Sequence, residues 1–376
     1  MRYFLSLEDN HILHCYKPEL NMVHKLARKH FLPMGAKSYP VTLYGDDPHL
    51  CYLNLNINSL SSDPYKFYPE LKNDALARRY LEILGKLSQT DRSSLCLKEE
   101  NILFTQGSAE AIDLIIRVFC EPQKESILIT SPTFPYYSYR ASIENVTITD
   151  IPLLGENYNR LNTEAILAST AKVLFLCSPN NPVGTVLDPD EVKKIIEGFA
   201  GIVVLDEAYV EWTDRKSYVE WVQKYENLIV LRTFSKIWGL AGVRCGIVIA
   251  QKGAIDALRL SQTLFSFPQS SVDLLMAKMD EVDKIMDYKR EMIELREDFC
   301  QFLENQQCVK KIYPGEGNFL LIKFHDAHKT EKHLLNKKIL TSNASNQVAE
   351  TLRVSIGSSE EMVRLKSALK EMEYAL

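Results

Sequence analysis

The chain has no C-x-x-C pair. Its eight cysteines, Cys15, Cys51, Cys96, Cys120, Cys177, Cys245, Cys300 and Cys308, are scattered through 376 residues. That distribution suits reduced, partly buried thiols better than a disulfide framework or a zinc site. No apolar run is long enough to span a bilayer. The opening Met1-Arg2-Tyr3-Phe4-Leu5-Ser6-Leu7-Glu8-Asp9 carries too short an apolar segment for a signal peptide, so a cytoplasmic location is the default expectation. Charge of one sign is also missing: 44 Lys and Arg stand against 49 Asp and Glu, and both signs are interspersed. Nothing therefore marks a nucleic-acid or acidic-membrane surface. There is no internal repeat and no low-complexity tract.

What is present is apolar material: 46% of residues are hydrophobic, ample for a large core, and the length suggests two or three structural units. Residues 1 to about 50, with Pro18, Pro33, Pro40 and Pro48, show no sustained period and read as an arm. From about 70 to 270, short apolar runs alternate with helical stretches. The runs are Ile102-Leu103-Phe104, Ile127-Leu128-Ile129, Val173 to Leu176, Ile202 to Leu205, Leu228 to Leu231 and Gly246 to Ile249. This alternation predicts an α/β fold with a mainly parallel sheet covered on both faces. Asp188, Pro189 and Glu191 predict a capped helix over 189–199, with Glu191 at the capping-box position. Helical spacing over Val282 to Leu303 predicts a long helix linking two domains. Two further runs, Phe319 to Ile322 and Leu352 to Ile356, and a helix from about Ser358, predict a smaller α+β domain. The expected division is an arm with part of the small domain over 1–60, a large domain over 61–275, and the linking helix and small domain over 276–376.

The chemistry concentrates at two strand ends. Ile202-Val203-Val204-Leu205 runs into Asp206, and Leu228-Ile229-Val230-Leu231 is followed by Arg232-Thr233-Phe234-Ser235-Lys236. Ligands of an open parallel sheet gather beyond the carboxyl ends of its strands, so both groups would face one crevice. An amine that can form a Schiff base and a carboxylate that keeps a ring nitrogen protonated are the requirements of pyridoxal 5'-phosphate. The bland readings are a solvated lysine and a helix cap. Gly107-Ser108-Ala109, between a strand and an apolar-periodic helix, offers backbone N–H groups and a helix dipole to an anion, or is simply a glycine turn with a Ser N-cap. Arg244, eight residues after Lys236, could grip phosphate oxygens or serve as an ion-pair partner.

These segments resemble a known family. Ser-Pro-Asn-Asn-Pro-Val-Gly over 178–184, Asp-Glu-Ala-Tyr over 206–209 and the lysine segment are similar to fold-type I pyridoxal-phosphate-dependent aminotransferases. Cys177-Ser178-Pro179-Asn180-Asn181-Pro182, the acidic motif followed by Glu211, and Leu240 to Gly246 most resemble the histidinol-phosphate aminotransferases. The resemblance runs from about residue 53 to the C-terminus with the motifs in order.

The resemblance implies a large domain with a helix-flanked, mainly parallel mixed sheet and a smaller α+β domain. It implies that Lys236 carries the cofactor, that Asp206 pairs with its ring nitrogen, and that Tyr209 and Asn181 hydrogen-bond its ring hydroxyl. Ser108, Ala109, Thr233, Ser235 and Arg244 would cradle the phosphate. Phe134 stands where the family usually has a ring-stacking tyrosine. Tyr68, in Phe67-Tyr68-Pro69-Glu70, would reach the phosphate of a neighbouring subunit, which implies a homodimer. Arg353 would bind the carboxylate, or its equivalent, of the amino substrate; Asn181 would also face that substrate. An amino donor and a 2-oxo acid such as 2-oxoglutarate would react in turn.

Two departures concern the substrate. Asn56-Ile57-Asn58 lacks the acid the family usually carries there, and Lys338-Ile339-Leu340-Thr341-Ser342 lacks a phosphate-binding arginine. Losing such a charge-assisted contact costs about 1.5 to 3 kcal/mol unless Lys337 or Lys338 replaces it. The rival readings are an aromatic or other non-phosphorylated amino substrate, and a lyase like the threonine-phosphate decarboxylases. A third is a ligand-sensing module of a transcription regulator, but no basic helix-turn-helix is evident in the first 50 residues.

Overall fold

The computed structural model describes residues 26–29, 55–88 and 95–372; most of the expected N-terminal arm, with Cys15 and Cys51, lies outside them. Helix α1 (Asp74–Ser88) leads to a seven-stranded sheet. Its strands are β1 (Ile102–Gln106), β2 (Ser126–Ile129), β3 (Thr147–Asp150), β4 (Val173–Cys177), β5 (Ile202–Asp206), β6 (Leu228–Thr233) and β7 (Cys245–Ala250). They lie in the order β1-β7-β6-β5-β4-β2-β3. The pairs β2–β3, β2–β4, β4–β5 and β5–β6 are parallel, whereas β7 is antiparallel to both its neighbours. The sheet is thus mixed and mainly parallel, as expected. β3 was not anticipated, because Thr147-Ile148-Thr149-Asp150 is a half-exposed edge strand with no apolar run.

The apolar runs are continuous because both faces are covered, and period-two alternation divides them between two cores. Leu174, Leu176, Val203, Leu205, Val230 and Ile249 face one cluster, while Val173, Phe175, Val204, Ile229, Leu231 and Val248 face the other. Burying a side chain of this size contributes roughly 1.5–3 kcal/mol. The connecting helices are α2 (Gly107–Phe119), α3 (Tyr136–Ile143), α4 (Thr163–Ala168), α5 (Pro189–Gly198), α6 (Lys252–Ser261) and α7 (Gln269–Met279). Asp188 caps α5 by accepting from the N–H groups of Asp190 and Glu191. Glu191 does not close a capping box; its carboxylate accepts from Leu161 N–H at 2.8 Å, 30 residues upstream. Tertiary pairing has replaced a local one.

Helix α8 (Val282–Leu303) leads to a second sheet of β8 (Val309–Ile312), β9 (Phe319–Phe324), β10 (Ser342–Asn343) and β11 (Thr351–Ser355), in the order β10-β11-β9-β8. Helices α9 (Ala327–Asn336) and α10 (Ser359–Lys370) pack on it around Phe299, Leu320, Ile322, Leu352 and Leu365. Ser358 and Glu361 form a capping box at the start of α10. Lys289 of α8 is buried and donates to the Thr213 carbonyl at 2.5 Å and to Asp214 at 2.8 Å, tying α8 to the loop after β5. No described helix is long and apolar enough to cross a membrane.

The ends of β5 and β6 are joined by a buried ion cluster. Arg232 of β6 donates to Glu207 at 2.8 Å, to Glu211 at 2.6 Å and to the Ser88 hydroxyl at 3.0 Å. Glu207 also accepts from the Ser217 hydroxyl and the Tyr218 N–H. Breaking a buried ion pair from one side leaves uncompensated charge, typically at a cost of about 3–5 kcal/mol. Arg232→Met is therefore expected to lower stability by about 3–5 kcal/mol, read as a lower urea midpoint; an unchanged midpoint would show the cluster to be energetically neutral.

Candidate active site

Asp206 is the last residue of β5, and Lys236 lies three residues beyond the end of β6, so parallel pairing of the strands brings the two to one edge of the sheet. Asp206 is 3% exposed. Burial pushes its carboxyl above the ordinary range, opposed first by the hydroxyl of Tyr137, then by the Ala208 N–H and the Lys236 charge. Tyr137 donates to Oδ2 at 2.7 Å and the Ala208 N–H to Oδ1 at 3.1 Å. Tyr137 was not anticipated from the sequence. It belongs to α3, far along the chain, and only the fold brings its hydroxyl to the strand end.

The Lys236 amine sits 5.0 Å from the centre of the Tyr209 ring. Burial, then the nearby Arg353, lowers its pKa below the usual 10.5, with Asp206 pulling the other way. Tyr209 meets Phe319 edge to face at 5.1 Å, and the Arg353 guanidinium lies 5.4 Å from the centre of the Phe319 ring. Arg353 donates to the Asn181 side-chain oxygen. Asn181, Tyr209, Lys236 and Arg353 thus converge, with Phe319, at the start of β9, packed against both Tyr209 and Arg353.

The start of α2 forms the opposite wall. Gly107 has φ +75°, and a Cβ there would collide with the Arg244 guanidinium. Gly246 lies so close that a Cβ would strike the Gly107 carbonyl carbon and the Ser108 nitrogen. Only glycines permit this approach of β7, Arg244 and the helix N-terminus. The N-cap residue is Gln106, not Ser108, and Glu110 accepts from its N–H at 2.5 Å. The Ser108 and Ala109 N–H groups fall in the first turn, where no intrahelical acceptor exists. Arg244, itself left-handed at φ 58°, donates to the Ala241 carbonyl with one nitrogen. Thr233 donates to the Cys245 carbonyl and accepts from the Ser235 N–H, fixing the turn that carries Lys236. Phe134 is half-buried, near-parallel to Tyr136 at 5.9 Å and edge-on to Tyr137 at 5.6 Å.

Tyr68 stands apart: it is 52% exposed and stacks on Phe265 at 4.7 Å. In the second sheet Ser342 pairs with Arg353 and shares its face, while the Thr341 hydroxyl is buried without a partner. Lys337 is engaged by Glu371, and Lys338 follows α9 in a left-handed conformation with its N–H on the Leu335 carbonyl.

The family model "Aminotransferase class I and II" matches residues 45–369. The chain belongs to the class I and II aminotransferases. Among this family's members, it is 32% identical over 329 residues to the histidinol-phosphate aminotransferase of Flavobacterium johnsoniae, covering 86% of this chain and 90% of that one. It is 31% identical to the Buchnera aphidicola enzyme of the same name, covering 93% and 98%. The fold matches the histidinol-phosphate aminotransferase of Sinorhizobium meliloti, solved in complex with pyridoxal-5'-phosphate, with TM-score 0.71 at 20% identity over 82% of this chain and 83% of that one. An L-threonine-O-3-phosphate decarboxylase from Porphyromonas gingivalis matches with TM-score 0.67 at 21% identity, covering 81% and 90%.

In this aminotransferase the amine at 236 is expected to lose its proton at lower pH than exposed lysines. Competitive acetylation of cofactor-free protein across pH, read by mass spectrometry, should show Lys236 titrating below the other lysines; co-titration with them would overturn the electrostatic reading.

Proposed function

We propose that the protein is a pyridoxal-phosphate-dependent aminotransferase that moves the amino group of histidinol phosphate to 2-oxoglutarate or its reverse, as a step of histidine biosynthesis. The observation that carries the reading is the meeting of Asp206, Lys236 and the glycine-limited cradle at one edge of the sheet. The residues fit the cofactor: a helix start crowded by Arg244 suits a phosphate, a buried carboxylate suits a ring nitrogen, and a partly desolvated amine suits an aldehyde. Bound there, the cofactor supplies a carbonyl for the amine and a protonated ring that draws electrons from the substrate's α-carbon.

The side chains divide the work. Ser108, Ala109, Ser235 and Arg244 would hold the phosphate, Thr233, whose hydroxyl donates to the Cys245 carbonyl, would fix the turn beside it, and Phe134 would offer a ring face without a hydroxyl of its own. Asp206 holds a proton on the ring nitrogen, while Tyr209 and Asn181 orient the ring hydroxyl. Lys236, whose lowered pKa favours the free amine, accepts the proton that leaves the α-carbon and returns it to a neighbouring carbon. Arg353 presents a planar fork to the polar end of the amino substrate, and Asn181, whose oxygen accepts from Arg353, keeps its amide N–H groups for the ligand. The exposed Tyr68 reaches the phosphate of a neighbouring copy, so the working unit is a homodimer in the cytoplasm. Residues 61–275 form its cofactor-holding part and 276–376 its smaller domain.

Adding histidinol phosphate alone to cofactor-loaded protein should bleach the visible band and release the matching ketone. No change, while glutamate still bleaches the band, would overturn this substrate; release of carbon dioxide when threonine O-3-phosphate, which carries a carboxylate, is supplied in its place would mark the lyase instead. Lys236→Ala is expected to abolish turnover. Arg353→Ala, which removes a charge-assisted contact, should raise the KM for the amino donor roughly 10- to 100-fold in steady-state assays.

A further inference from the structure

We propose that Tyr137 is a positioning residue that orients Asp206 and keeps it ionised for the cofactor's ring nitrogen. This rests on the cofactor reading above. Tyr137 lies in the first turn of α3, fully buried. Its ring is stacked on Phe175 of β4 at 4.7 Å with an interplanar angle of 13°, and Phe134 meets it edge-on at 5.6 Å. Two aromatic contacts of different geometry leave the ring little freedom to swing. The hydroxyl is held where it donates to Oδ2 of Asp206 at 2.7 Å, with the Cys177 thiol as its other polar neighbour.

The carboxylate needs that donor. Asp206 is almost fully desolvated, which favours its neutral form. The titratable groups that interact with it are Tyr137 from α3, Cys177 opposite it on β4, Glu207 and Tyr209 following it in the chain, and Lys236 beyond β6. Glu207 is committed to Arg232, Ser217 and Tyr218, and the Cys177 thiol donates to the Pro179 carbonyl at 3.3 Å. Among the described residues, Tyr137 is the one whose side chain donates a hydrogen bond to the carboxylate. Each carboxylate oxygen then has one donor, Tyr137 on Oδ2 and Ala208 on Oδ1, and retains a lone pair for a third. A ring N–H is the donor that fits. Because the tyrosine is locked by stacking, the direction of the remaining lone pairs is fixed before any ligand arrives, and binding need not reorganise the carboxylate.

The test is Tyr137→Phe, which keeps the ring and its stacking. The cofactor-free variant is expected to melt within a few degrees of the wild type. Its dissociation constant for pyridoxal phosphate should rise about 10-fold or more, the usual worth of a hydrogen bond to a charged group. The pH at which the bound cofactor's visible band titrates should also shift. In an Asp206→Asn background the same substitution should change cofactor affinity less than about 2-fold, because the two residues act through one contact. A variant that binds cofactor and titrates like the wild type overturns the role, as does an undiminished effect in the Asp206→Asn background. If Tyr137→Phe does not fold, 3-fluorotyrosine at position 137, a stronger donor of nearly the same shape, should tighten binding; unchanged affinity then overturns the proposal. A wild-type protein that takes up no pyridoxal phosphate would instead overturn the cofactor reading itself.

Discussion

Arg232 is the constraint on which the site's geometry depends. It lies on β6, one residue before Thr233, and its guanidinium is shared by Glu207, one residue after Asp206, and Glu211, in the turn that follows Tyr209. The two segments that carry the reactive groups are therefore fixed to each other by buried charge. Apolar residues in these places would bury as well, and replacing a buried ion pair by hydrophobic packing is often neutral for stability. What a guanidinium adds is direction: its planar fork fixes the angle between two loops. The third anchor, the Ser88 hydroxyl at the end of α1, extends the same restraint to the helix packed beneath.

A second restraint is close approach of backbone. Gly107 and Gly246 bring β7 within reach of the α2 terminus, and Gly184 at φ +89° lets the loop after Asn181 pass Gly315, whose Cα would lie 2.8 Å from an added Cβ. The Glu316 N–H donates to the Gly184 carbonyl at 2.8 Å at that crossing. The first pair shapes the helix start proposed as the anion cradle. The second holds the segment before β9, and with it Phe319 and the neighbouring Arg353 of β11, against the loop that carries Asn181. Ion cluster and glycine contacts thus restrain the same group of residues through different segments of the chain.

Much of this was legible in the chain because its signals are local. Six of the seven strands of the large sheet follow from apolar runs that are buried on both faces, and α8 follows from its helical spacing over the same residues, 282–303. Asp206, Lys236, Gly107 and Arg244 are legible because strand ends and glycine turns place their neighbours within a few residues. Tyr137, Phe319 and Arg232 are not. Each looks like an ordinary core or strand residue until the fold supplies its partner, 69 residues away for Tyr137 and 25 and 21 for Arg232. Glu191 shows the same limit in reverse: a sound local pattern gave way to a tertiary acceptor role.

The same difference in range separates the cofactor side of the site from the substrate side. The proposed cofactor contacts would come from short segments at the strand ends of one sheet, so their spacing along the chain is constrained and their motifs remain recognisable. The proposed substrate contacts would come from Arg353 and the β10 strand opposite it, which belong to another sheet, and Arg353 meets Asn181 only across the crevice. Ser342, not Thr341, shares the face of Arg353, and Lys337 is held by Glu371 while Lys338 terminates a helix. Of the two lysines before the missing arginine, Lys337 is thus engaged by Glu371, while the backbone of Lys338 closes the helix end. Among the described residues in this part of the second sheet, the cation that meets the Asn181 loop across the crevice is Arg353, which is why a substitution there is the sharper test of the substrate side.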